Sequence, residues 1–191
     1  MGEPVNVASH LTTEQLEAEL DHILQSPASG GPLLMIVRRP DVEEREVVGE
    51  GALDVAVGLV GDNWKTRGSA STPDGKANPA AQITMMNSRV LALLAQSEER
   101  WQLAGDQLII DMDLRVENLP PGARLSIGSA VVEISEKPHT GCAKFADRFG
   151  KDALRFVSTS TGRSLRLRGV NTRVVQSGTI RVGDVATKLS E

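Results

Sequence analysis

Leu119-Pro120-Pro121-Gly122-Ala123-Arg124-Leu125-Ser126-Ile127-Gly128-Ser129-Ala130-Val131-Val132-Glu133-Ile134 reads as a turn, a short strand, a glycine turn and a longer strand. A second stretch, Gln176-Ser177-Gly178-Thr179-Ile180-Arg181-Val182-Gly183-Asp184-Val185-Ala186-Thr187-Lys188-Leu189, repeats that order. In each, two glycines bracket a short strand of alternating pattern: Gly122 and Gly128 in the first, Gly178 and Gly183 in the second. Several short strands bounded by such turns predict a closed or nearly closed β-barrel. Glycine at the corners supplies the backbone freedom to bend strands around a small barrel.

Between the two copies lies a helical insert, and it opens on the only cysteine. In Pro138-His139-Thr140-Gly141-Cys142-Ala143-Lys144-Phe145 a β pattern has just ended and a helical one begins. A thiol in the first turn of a helix faces unpaired N–H groups and the positive end of the dipole, which favour the thiolate. Lys144 adds a positive charge, His139 lies three residues before, and Gly141 removes bulk beside the sulfur. A lone cysteine is also often a small buried hydrophobe, and that alternative stands beside the reactive one. Phe145 and Phe149 fall four apart, Gly150 suits a C-cap, and Lys151 to Val157 continues as a second short helix. Ser158 to Gly162 reads as a polar loop. Leu165-Arg166-Leu167-Arg168-Gly169-Val170 alternates as a strand would, leucines to one face and arginines to the other. Such a row is either a solvated face or, since arginine forks suit phosphate, an anion site.

Upstream, Thr12 and Gln15 form a capping-box pattern with Leu11 and Leu16 as a hydrophobic staple, and a helix is expected to Ser26. Residues 1–10 carry no pattern. Leu33 to Val37 is a buried strand pattern, Arg38 to Asp41 a turn, and Glu46 to Glu50 a strand. Leu53 to Val60 fits a strand or a short helix. Asn63 to Ala81 is long, polar and aperiodic, either a solvated loop or a binding loop in which Arg67, Ser69, Ser71, Thr72, Lys76 and Asn78 hold an anion. Gln82 to Met86 is a strand, residues 88–101 a helix with Val90, Leu91, Leu94 and Trp101 inward, and Gln107 to Leu114 a strand.

The composition narrows the function classes. A formal net charge of −4 and 3% aromatic residues disfavour nucleic acid as a partner, which needs basic surface and stacking platforms. No apolar run spans a bilayer and no secretory leader pattern is present, so a cytoplasmic protein without a membrane partner is expected. A single cysteine forms no internal disulfide, and three scattered histidines do not make a zinc-finger site.

From Leu108 to Leu189 the chain resembles the MOSC domain, the module named for the C-terminus of molybdenum-cofactor sulfurases. The resemblance rests on Asp113-Leu114, Leu119-Pro120-Pro121-Gly122, Leu125 to Ala130, His139-Thr140-Gly141-Cys142, Arg166 to Val170 and Gly178 to Asp184, in that order. Gly61-Asp62 and the helix from Ser88 match more loosely. The resemblance implies an α+β fold, mainly β with surface helices, built on a small closed barrel of the MOSC type. One domain over residues 1–191 is expected, with a helix and linker over 1–31 and the barrel over 32–191, interrupted by a helical insert at 142–157. It further implies molybdenum-molybdopterin as cofactor, with Cys142 as metal ligand and catalytic residue, or a persulfide carried on Cys142. The family is also associated with pyridoxal-phosphate proteins. The candidate cofactor-binding set is His139, Thr140, Lys144, Arg166, Arg168, Asp113 and Arg67. Family reductases act on N-hydroxylated compounds, and this chain differs from them in the segment before the cysteine. Because it has neither ferredoxin cysteines nor a flavin motif, a reductase of this kind takes electrons from a separate protein. The partners expected are a small-molecule substrate or a sulfur donor. A binding or regulatory module that keeps the cleft without turnover is the alternative.

Overall fold

The computed structural model describes residues 10–190. Residues 1–9, and so most of the patternless N-terminal stretch, lie outside the described residues. Eleven strands occur among them: β1 (Gly31–Arg38), β2 (Glu46–Val48), β3 (Glu50–Asp54), β4 (Gly58–Leu59), β5 (Ile83–Asn87), β6 (Leu108–Ile110), β7 (Arg124–Ile127), β8 (Ala130–Pro138), β9 (Val170–Gln176), β10 (Gly178–Arg181) and β11 (Val185–Lys188). The order β11-β7-β8-β9-β5-β6-β1 closes on itself because Gly31 and Pro32 of β1 pair with Ala186 and Val185 of β11. The result is a seven-stranded mixed barrel, antiparallel at every pair except β5–β6. β2 extends β1 beyond the ring, and β10, β3 and β4 form a separate small sheet. This is the closed barrel the glycine-bracketed repeats predict. The two copies nonetheless part company, since β7, β8 and β11 belong to the barrel and β10 pairs with β3 outside it.

Alternation explains why the barrel strands read as continuous apolar runs. Ile36, Met85, Leu108 and Ile110 fill the barrel interior. Their neighbours Val37, Met86 and Ile109 point outward, under the helices. Both faces are buried, so both must be apolar. Leu33 and Ile36 share the interior although three residues apart, because the β1–β6 register shifts between Leu33 and Met35.

The outer apolar layer is covered by helices. α1 (Thr13–Ala18) and α2 (Leu20–Leu24) replace the single expected helix, broken at Glu19. The Thr12/Gln15 capping box is formed as read from the sequence. α3 (Trp64–Arg67) and a 3-10 turn at Pro79–Ala81 give structure to both ends of the long polar stretch. α4 (Ser88–Ala95) is capped by the Asn87 side chain and followed by a 3-10 helix, Glu98–Ala104. α5 (Ala143–Phe149), α6 (Lys151–Ser158) and α7 (Ser160–Ser164) form the insert.

Three sequence readings are corrected here. The stretch Ser158 to Gly162 is not a loop, because Thr159 accepts a hydrogen bond from the Gly162 N–H at 2.9 Å and starts α7. Leu165–Arg168 is not a strand with an arginine face. It is a run of tight turns in which Arg166 takes φ +50° and Gly169 φ +96°. Only Val170 enters β9. Alternation over four residues could not reveal the Thr159 cap that fixes the turn. The strand expected over Gln107–Leu114 is likewise shorter, leaving the barrel after Ile110.

Candidate functional site

Cys142 stands at the end of the four-residue step from β8 to α5. Its backbone is extended, and its carbonyl accepts from the Phe145 and Ala146 N–H groups at 3.0 and 3.2 Å. The thiol is exposed. Phe145 and Phe149 are buried with ring centroids 5.0 Å apart, so the helix behind the sulfur is firmly anchored. A β-carbon on Gly141 would lie 2.4 Å from Leu154 Cδ1, so glycine lets the loop approach α6 closely.

The cysteine opens on a cleft of about 220 Å³ rich in cations. Arg39 is already matched: Nε and Nη2 grip the two oxygens of Asp62 at 2.8 and 2.9 Å, and Nη1 donates to the Gly105 carbonyl. Lys144 and Arg148 share Glu43, which accepts from both. The Lys144 hydrogen bond holds the Glu43 carboxyl below its usual range. Arg45 and Arg67 are different. Neither forms an ion pair among the described residues, and Arg45 Nε is buried with no acceptor. Burial lowers both guanidinium pKa values, helped by Arg148 and Arg39 near Arg45 and by Arg39 near Arg67, and opposed by Glu43 and Asp62 at Arg45 and by Asp62 at Arg67. Neither cation has an ion-pair partner, so the cleft offers guanidinium donors to an anion beside a soft sulfur atom.

Behind the cleft wall lies a buried polar cluster. Asp106 is fully buried and accepts from Arg168 Nη1 at 2.6 Å. Arg168 Nη2 donates to the Ala104 carbonyl at 3.1 Å, and its guanidinium carbon sits 4.8 Å from the Phe145 ring centroid. His139 Nδ1 faces the other Asp106 oxygen at 3.4 Å. Burial, with a contribution from Arg168, pushes the His139 pKa down to about 3, so the imidazole is neutral at physiological pH. Ala104 and Phe145 also line the cleft, so this cluster buttresses it.

The residues singled out from the sequence therefore divide. Cys142, Lys144 and Arg67 line one cleft. His139, Thr140, Arg166 and Arg168 line a second cavity, and the chain passes from one to the other between Thr140 and Cys142. Asp113 is elsewhere, in a shallow hollow with Arg115 and Arg166. Its carboxylate is occupied: although burial opposes ionisation, hydrogen bonds from the Arg115 side chain and backbone keep its pKa low. Sequence reading missed Arg39, Arg45, Arg148 and Asp106. Arg148 was within reach, since it falls four after Lys144 and shares its helix face. Arg39 falls in the stretch read as a turn, Asp106 stands between two expected elements, and nothing local marks Arg45 among its acidic neighbours.

A family model described as the MOSC domain matches residues 72–187. That segment carries Cys142, Asp106 and Arg168, whereas Arg39, Arg45 and Arg67 precede it. No curated protein matches the chain. Among solved structures, the YuaD protein from Bacillus subtilis aligns over 84% of this chain and 97% of its own, at 14% identity and TM-score 0.62. YiiM from Geobacillus stearothermophilus aligns over 84% and 75%, at 16% identity and TM-score 0.57. YiiM from Escherichia coli aligns over 84% and 70%, at 18% identity and TM-score 0.53. At these identities the likeness is one of fold.

Proposed function

The chain belongs to the MOSC domain family, and on that premise we propose that its Cys142 cleft binds a molybdenum-pterin cofactor. The observation that supports this most is the pairing of an exposed thiol with Arg45 and Arg67, two guanidiniums that form no ion pair among the described residues. Cys142 Sγ would ligate the metal, and Arg45 and Arg67 would hold the pterin's terminal phosphate through charge-assisted hydrogen bonds. The donor set fits such a group. One thiolate is too few ligands for a bare ion, but it suits a metal that arrives with sulfur ligands of its own.

When bound, the group supplies two-electron redox chemistry at molybdenum. The protein's own part is to fix the donor atom and exclude competing contacts. Phe145 and Phe149 anchor the helix after Cys142, and the Asp106–Arg168 pair holds the wall behind it. Glu43 keeps Lys144 and Arg148 at the mouth. A small-molecule substrate would approach the exposed side of Cys142, with electrons delivered by a separate protein.

A second reading draws on the same exposure. An accessible Cys142 thiolate can attack the outer sulfur of a donor persulfide, forming Cys142 persulfide as the donor thiolate leaves. Pterin content distinguishes the two. Protein purified from a host that makes the cofactor should release a fluorescent oxidised pterin in near-equal ratio on denaturation. Pterin-free protein that releases sulfane sulfur to cyanide would favour the carrier. Protein with neither would leave a binding or regulatory module.

A further inference from the structure

The second cavity has no part in the function proposed above, yet it is built like a ligand site. It encloses about 260 Å³ between the end of β8, α7 and the start of β9. Four cations line it, Lys137, Arg163, Arg166 and Arg168, against one carboxylate, Glu136. Among the described residues Lys137, Arg163 and Arg166 form no ion pair, whereas Arg168 pairs with Asp106. Arg166 spends Nη1 on the Leu114 and Leu119 carbonyls, at 3.1 and 2.6 Å, which leaves Nε and Nη2 for another acceptor. Burial lowers its pKa although Glu117 nearby opposes the shift, so the guanidinium is partly desolvated. Arg168, only 7% exposed, also lines the cavity, and its Nε is buried without an acceptor. An orphaned guanidinium N–H in such a place points to a missing partner. Pro138, Val157 and Val170 supply an apolar part of the wall, and Ser135, Thr140 and Asn171 a polar one.

We propose that this cavity is a second binding site, separate from the Cys142 cleft, for a small organic monocarboxylate. Its carboxylate meets Arg166 and the free Arg168 N–H, and its apolar body packs against Val157 and Val170. A planar two-oxygen headgroup matches the guanidinium fork. A phosphate dianion would carry a larger desolvation cost into a small cavity that already holds Glu136. Nothing in this depends on what Cys142 carries.

The test is a titration of ¹⁵N-labelled full-length protein with benzoate, benzamide and inorganic phosphate in separate series. Benzoate should shift the amide resonances of Lys137 to Thr140 and Gly162 to Asn171, saturating in the millimolar range. Benzamide should not bind. Arg166→Gln should weaken benzoate by about tenfold or more, the scale of one charge-assisted hydrogen bond. Because Arg166 also ties two carbonyls, Arg163→Gln is the control for folding. It should keep the wild-type melting temperature and still weaken benzoate severalfold. Tighter binding of phosphate than of benzoate, or equal binding of benzamide, would overturn the carboxylate assignment. No saturable shift, or shifts confined to Arg45, Arg67 and Cys142, would overturn the site itself.

Discussion

Arg168 Nη1 lies 2.6 Å from Asp106 Oδ2, and both side chains are buried against the wall of the Cys142 cleft. Removing one partner leaves the other charge buried and unmatched. Asp106→Ala and Arg168→Ala should therefore each cost about 3–5 kcal/mol of folding stability. Urea denaturation checks this. The double variant should recover part of the loss, since no charge is then left unpaired.

The neutral His139 makes stability depend on pH. Its pKa is about 3 in the folded chain, against 6.5 when free of the fold. Above 6.5 both states hold the neutral ring, so there is no penalty. Below it the unfolded chain takes up a proton that the folded chain refuses, and stability falls until pH passes the folded value. The slope from this group is at most about 1.4 kcal/mol per pH unit. Denaturation midpoints across acidic pH should fall more steeply for wild type than for His139→Gln. Parallel profiles would contradict the burial of a neutral imidazole.

Arg45 and Arg67 should behave as ligand-binding groups and not as structural ones. Arg67→Ala and Arg45→Ala should leave the melting temperature unchanged or slightly raised, because burial and the neighbouring arginines together outweigh the attraction of Glu43 and Asp62. Retention of a phosphate-bearing cofactor should weaken by roughly ten- to a hundredfold. Lysine at either position should restore only part of it, a point charge replacing a planar fork.

Gly169 is the backbone hinge into β9. Its φ is +96°, and a β-carbon there would lie 2.1 Å from the Met85 carbonyl oxygen. Gly169→Ala should cost about 3 kcal/mol or more, read by thermal or urea unfolding.

The barrel was legible because its signals are local. Gly128 must take a left-handed turn, and a β-carbon there would strike the Thr179 carbonyl, so the sequence shows glycine between two short apolar strands. The capping box at Thr12 is local too. The site was less legible because its cations come together through the fold. Arg39, Arg45 and Arg67 lie far from Cys142 in sequence and meet it only once the end of β1 and α3 are placed. Arg166 and Arg168 misled for the opposite reason. Their alternation imitates a strand, but Thr159 caps a helix ahead of them, and Arg168 turns inward to Asp106.

The central claim is that Cys142 carries the metal or the sulfur. Its most direct measurement is the molybdenum and sulfane-sulfur content of wild-type and Cys142→Ala protein, purified side by side from a cofactor-producing host. The wild type should hold near-equal molybdenum or releasable sulfur, and Cys142→Ala should hold neither while keeping the wild-type melting temperature. Equal loading of the two proteins would contradict the account.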